Sequence, residues 1–144
     1  MEILILLFIV VIGTSFLCSV LESVLLSTNM SYISVLEKNN PVAGKLLKKL
    51  KIDIDKSIAS ILILNTIANT LGATAIGVQA QNVFGGNSTL VMIISIVLTF
   101  MILFFAEIIP KTIGAVYWKQ LAPHSPRIIN IFIFITYPII IITQ

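Results

Sequence analysis

Apolar and polar positions divide this chain into three long hydrophobic stretches, a basic interval between the first two, and a shorter hydrophobic stretch near the end. From Ile3 to about Leu26 the only charge is Glu22. At about 1.5 Å per residue such a helix is roughly 36 Å long, enough to cross a hydrocarbon core of about 30 Å with some tilt. Residues 57–106 carry no charge at all, and one crossing needs only about 20 residues. The uncharged turn signal Gln81-Asn82-Val83-Phe84-Gly85-Gly86-Asn87-Ser88 splits that stretch in two. The pattern predicts spans at 3–26, 57–79 and 89–109.

Residues 28–56 break the pattern. Lys38, Lys45, Lys48, Lys49, Lys51 and Lys56 alternate with Ile33, Leu36, Leu46, Leu47 and Leu50, and Asn39-Asn40-Pro41 marks a turn. This predicts a pair of amphipathic juxtamembrane helices lying at the membrane surface. Farther on, Pro123-His124-Ser125-Pro126 interrupts the chain. Residues 128–142 are strongly apolar but only about fifteen long, with Pro138 inside, which is short for a crossing. They read as an interfacial or re-entrant, belt-like helix; a fourth crossing is the alternative and would put the C-terminus outside. The expected fold class is all-α integral membrane, one domain over 1–144, with three transmembrane helices, the juxtamembrane pair and the short C-terminal helix.

Composition agrees: 58% of residues are apolar and 10% charged, against about 25% charged in an average soluble domain. The start, Met1-Glu2, lacks the basic region of a cleaved signal, so the first stretch reads as a retained span. Apolar residues run on to 143, so the chain is expected to be the membrane part of a longer protein. A single cysteine, Cys18, excludes an internal disulfide and a thiolate metal cluster. The charge of +3 is concentrated in loops and speaks to orientation, not to nucleic acid. Six lysines between the first two spans put that interval in the cytoplasm, and Lys111, Lys119 and Arg127 agree. The expected protein is multi-pass in the cell membrane, N-terminus outside and C-terminus cytoplasmic. A dedicated anionic-lipid site is another use for such lysines; topology signalling is the reading adopted.

The polar residues inside the spans carry the chemistry. Glu107 ends the run Leu103-Phe104-Phe105-Ala106-Glu107-Ile108-Ile109-Pro110-Lys111, and an acid at a helix centre in lipid costs about 2.5–3.5 kcal/mol on insertion scales, less near an end. Pro110 has no N–H, and its ring presses on the Ala106 carbonyl one turn back. A carboxylate beside a freed carbonyl starts a cation site; equally, Glu107 can pair with Lys111 at i+4. Ser15, Ser19 and Glu22 share one face of the first helix. Ser15 is expected to bond back to its own helix, and Ser19, one turn from Glu22, to face the polar stripe. Asn65 and Asn69 share a face of the second helix, either as glue between helices or as two amide oxygens for a hard cation. Ala68 with Gly72, and Ala73 with Gly77, permit close helix approach.

Counting depth at about 1.5 Å per residue puts Ser19, Glu22, Asn65 and Glu107 in the cytoplasmic half and Asn69 near the midplane. If they converge, their oxygens suit Mg²⁺, Ca²⁺ or Na⁺ and not zinc or copper. No His–acid–nucleophile set lines one face, and His124 lies in a loop, so no enzyme is expected.

Ser19-x-x-Glu22, Asn65-x-x-x-Asn69 and Glu107-Ile108-Ile109-Pro110-Lys111, in three successive spans, resemble the transmembrane domain of the CNNM/CorC magnesium transporters. The likeness covers essentially the whole chain, and the last motif is its most specific part. It implies a homodimer in the lipid bilayer, three spans and a belt-like helix per subunit, and Mg²⁺ transport, with Na⁺-coupled efflux as the usual proposal. It implies Mg²⁺ in a cytoplasm-facing cavity, with Ser19, Asn65, Asn69 and Glu107 as ligands and Pro110 shaping the helix end. Ser15, Glu22, Gly72 and Lys111 are expected in support. A downstream cytoplasmic CBS-pair domain normally follows. The family commonly has glycine where this chain has Leu64. The alternative function is a cation-sensing membrane scaffold that regulates a partner without transporting. A dimer is also expected from the small-residue face of the second span.

Overall fold

The computed structural model describes residues 2–143, and every element among them is helical. The first apolar run forms α1, Glu2–Ser27, without a break. Two short helices follow, α2 (Met30–Asn39) and α3 (Pro41–Ile52), each started by an asparagine. Asn29 Oδ1 accepts from the Tyr32 N–H and Asn40 Oδ1 from the Ala43 N–H, and Pro41 occupies the first turn of α3, where its missing N–H costs nothing. The helix α4 runs from Ile54 to Phe84 and stops at Gly85 and Gly86, both at positive φ, where side chains are disfavoured. Asn87 then caps α5, Ser88–Met101. A π-helical segment, Ile102–Ile108, joins α5 to α6, Ile109–Val116, so one helical rod extends from 88 to 116. A single turn, α7 (Trp118–Leu121), leads to α8, Ser125–Thr143.

The helix α1 is the hub, touching α4, the π segment and α6, α7 and α8. The buried core lies at its C-terminal half, where Leu21, Val24 and Leu25 meet Ile33 of α2, Leu47 and Leu50 of α3, Ile61 of α4, and Ile129 and Phe132 of α8. The juxtamembrane pair, expected at the membrane surface, packs its apolar faces onto protein. Lys51 locks this arrangement. Its Nζ donates to the carbonyls of Leu25 at 2.8 Å and Leu26 at 3.4 Å, supplying the cation that α1 lacks at its own negative end. Burial lowers the Lys51 pKa. Tyr32 of α2 stacks edge-on against Trp118 at 5.0 Å and donates to the Lys119 carbonyl at 2.6 Å, so the two basic segments meet at one end of the molecule.

Three expectations change. The second and third spans are longer than 57–79 and 89–109. In the third, Pro110 does not end the helix, because the backbone passes it by widening. The last helix is also longer than 128–142. The chain does break at Ala122–His124, between α7 and α8, and Pro126 already stands in the first turn of α8, where proline is favoured. Four helices, Glu2–Ser27, Ile54–Phe84, Ser88–Val116 and Ser125–Ile142, thus have the length and apolarity to cross a bilayer.

Gly72, expected to serve association between chains, serves packing within this one. A Cβ there would collide with the side chain of Val11 on α1. At Gly77 a Cβ would meet nothing within 4 Å. Gly72→Val should therefore destabilise the fold by about 1–3 kcal/mol, while Gly77→Ala should stay within about 0.5 kcal/mol of the parent. Thermal unfolding in detergent checks both, and an equal response of the two variants would refute the assignment.

Candidate cation site

On the polar stripe of α1, Ser15, Ser19 and Ser23 each reach another helix. Ser15 Oγ donates to Asn65 Oδ1 at 2.7 Å, not to its own helix as expected. Ser19 Oγ donates to the Ala106 carbonyl at 2.8 Å. Ser23, which did not stand out in the sequence, donates to the Lys111 carbonyl at 2.7 Å. Its spacing of four from Ser19 was the available signal. Glycine at 114 allows this approach, since a Cβ there would lie 2.7 Å from Ser23 Cβ and from the Val20 carbonyl.

The Ala106 carbonyl explains the local backbone. In an α-helix it would accept from the N–H of residue 110, and proline has none. The chain bypasses the defect with a π turn, in which the Ile109 N–H reaches back five residues to the Phe104 carbonyl. Ser19, wholly buried, gives the stranded carbonyl a donor. The widened turn also takes Glu107 out of ordinary helical register with Lys111. Lys111 Nζ pairs instead with Glu22 at 3.5 Å. The i to i+4 pair weighed from the sequence is absent among the described residues, and the Glu107 carboxylate there has no ion pair and no hydrogen bond.

On α4 the two asparagines form a short relay. Asn65 Oδ1 accepts from Ser15 and, at 3.5 Å, from Asn69 Nδ2. This fixes the Asn69 amide, whose Oδ1 is buried and lacks a partner. An unsatisfied buried acceptor costs about 1–3 kcal/mol. Asn69 and Glu107 line the same open-sided cavity of about 230 Å³, with Ala73, Thr99, Ile102 and Leu103. A second cavity of about 80 Å³ shares Ala73, Thr99 and Ile102 and continues past Ser95 and Gly77 along the groove between α4 and α5. Neither Thr99 nor Ser95 stood out in the sequence, although their spacing of four put both hydroxyls on one face.

The structure thus brings Asn69 and Glu107 to one cavity, with Asn65 and Ser15 bonded behind Asn69 and Ser19 bonded behind Glu107. Ser19 and Asn65 do not line the cavity. Glu22 and Lys111 form a pair of their own one turn farther on. Pro110 is buried within the rod, and Leu64 packs partly buried against the core. Among the described residues no cluster of three or more His, Cys, Asp or Glu is present, so the donors here are one carboxylate and neutral oxygens.

Residues 5–144 match the family described as CNNM, the cyclin M transmembrane N-terminal domain. The chain belongs to this family. A UPF0053 protein of Synechocystis, sll1254, is 32% identical over 126 residues, covering 85% of this chain and 34% of that protein. A UPF0053 protein of Haemophilus influenzae is 29% identical over 119 residues, covering 83% and 28%. The inner membrane protein YfjD of Escherichia coli is 31% identical over 101 residues, covering 70% and 23%. This CNNM domain therefore spans about a third or less of these relatives, and it is a multi-pass membrane protein.

The proline and the serine should be coupled. Ser19→Ala alone should cost about 0.5–2 kcal/mol by stranding the Ala106 carbonyl. Pro110→Ala supplies the missing N–H, so Ser19→Ala on that background should cost clearly less. A double-mutant cycle by thermal unfolding measures this, and strictly additive costs would contradict the shared carbonyl.

Proposed function

We propose that this domain transports Mg²⁺ across the membrane, with the ion seated between Asn69 Oδ1 and the Glu107 carboxylate. The observation that carries the reading is the unpartnered amide oxygen of Asn69 in the same cavity as a carboxylate that has no countercharge among the described residues. Mg²⁺ demands oxygen donors and is commonly held by one or two carboxylates with waters completing six ligands. One carboxylate leaves the site with a net positive charge when loaded. Binding is then strong enough to admit the ion and weak enough to release it, as transport requires. Ser19 and Asn65 are the further ligands proposed; each would first give up a bond, to the Ala106 carbonyl and to its two donors respectively.

The path supports transport over a scaffold. Glu107 lies one turn from Lys111, toward the basic end that the positive-inside rule assigns to the cytoplasm. The groove past Thr99 and Ser95 leaves the site in the other direction, along α4 and α5. An ion can thus be taken up from the cytoplasm and leave toward the outside, with Na⁺ moving in the opposite sense as the driving ion. In this proposal the N-terminus is outside, three helices span, α8 lies belt-like at the interface, and two copies form the working unit. The extra length of the relatives is taken as a cytoplasmic CBS-pair domain.

Glu107→Gln should weaken Mg²⁺ binding at least tenfold in calorimetry, because it removes the one negative charge of the seat, and Asn69→Ala by a similar factor, because it removes a direct oxygen donor. In liposomes the parent should carry Mg²⁺ down its gradient and both variants should not. Parent-like affinity in Glu107→Gln would refute the seat, and absence of flux from the parent under every gradient would favour the scaffold.

A further inference from the structure

Two lysines at the junction of α3 and α4 take part in no ion pair among the described residues. The ion pairs among the described residues are Lys48 with Glu37 and Lys111 with Glu22, so Lys49 and Lys56 are unpaired. Both line a crevice of about 70 Å³ between this junction and α8, with Asp53, Ser57, Asn130 and Ile133. The Ser57 hydroxyl is already committed to the carbonyls of Leu50 at 3.0 Å and Asp53 at 3.1 Å. The donors left for an occupant are the two ammonium groups and the exposed Asn130 amide. Asp53 is the one anion present, so the lining carries one net positive charge.

The neighbourhood of the crevice is amphiphilic. Lys56 Nζ lies 5.0 Å from the centre of the Tyr137 ring, which leans it along α8. Asn130 interrupts an otherwise apolar stretch of α8, and beyond it Phe134 is 82% exposed and Ile135 56% exposed. An occupant that satisfies the crevice alone would leave this apolar face bare. One with an anionic head and hydrocarbon chains satisfies both. We infer that the crevice between the α3–α4 junction and α8 binds the phosphate group of an anionic phospholipid, held by Lys49, Lys56 and Asn130, with its acyl chains against the apolar face of α8. Basic pockets beside membrane helices recognise anionic head groups by this chemistry. The site is separate from the cation cavity and does not depend on what that cavity carries.

The test uses the parent protein in nanodiscs of phosphatidylcholine with a minor fraction of phosphatidylglycerol, and native mass spectrometry of the lipid that stays bound. Lys49→Gln with Lys56→Gln should retain at least about tenfold less phosphatidylglycerol than the parent. Lys38→Gln with Lys45→Gln removes the same charge from exposed positions outside the crevice and should retain parent levels within about twofold. Asp53→Asn should retain more than the parent, and excess inorganic phosphate should not displace the lipid. Circular dichroism melting confirms that each variant is folded. Equal losses in the two lysine pairs would reduce the effect to general surface charge and overturn the site, as would parent-like retention in the first pair. Displacement by inorganic phosphate alone would overturn the lipid as occupant.

Discussion

One missing N–H, at Pro110, sets the geometry around it. An α-helix through that position would leave the Ala106 carbonyl without a donor in a medium that offers no water. Two adjustments answer the defect. The backbone widens into a π turn over Ile102–Ile108, and Ser19 on α1 donates to the stranded carbonyl. Together they pin the third rod against the first and rotate Glu107 away from Lys111. The carboxylate faces the cavity beside Asn69, and the lysine finds Glu22. A helix defect that would be a cost in a plain span here aims the only intramembrane acid of its rod.

The first helix organises the rest by the same logic. Its serines at 15, 19 and 23 each bond to another element, so polar groups that would be expensive in lipid are used for positioning. The Ser15–Asn65–Asn69 relay decides which amide oxygen is left over. Packing is uneven along the bundle. The core of Leu25, Ile33, Leu47, Ile61 and Ile129 lies at the basic end, whereas α5 has no buried residue. Elements with few buried contacts reorganise at the lowest free energy. The groove beyond the Asn69–Glu107 cavity is walled by α5, the long helix with the fewest buried contacts.

Much of this was legible in the pattern of residues, for physical reasons. Long uncharged stretches have one stable solution in a membrane, so the helices at 3–26, 57–79 and 89–109 followed from length alone, with ends that proved short. Asn29, Asn40, Gly85 and Asn87 act locally, and the turns fell where they stand. The stranded Ala106 carbonyl was legible from Pro110. The π turn was not, because residue spacing reports the period of a helix and not a single widened turn. The partner of Ser15 was missed because a serine's bond to its own helix and its bond to a neighbour look alike in sequence. The juxtamembrane pair read correctly as amphipathic, but sequence does not say whether the apolar face meets lipid or protein. The break read at Pro123-His124-Ser125-Pro126 is there, as the turn before α8, but its second proline already belongs to the first turn of that helix. The family resemblance carried by Ser19, Asn65, Asn69 and the Glu107–Lys111 motif was correct, and the relay and the π turn give those residues their places in the fold.

The central claim is that the turn forced by Pro110 seats a divalent cation between Asn69 and Glu107. The most direct measurement is an anomalous diffraction map of the protein crystallised with Mn²⁺, which accepts the same oxygen donors as Mg²⁺. The account predicts one peak per chain within coordination distance of Asn69 Oδ1 and a Glu107 carboxylate oxygen, with the π turn retained. A map at saturating Mn²⁺ with no peak there, or with the ion bound only at other carboxylates, would contradict it.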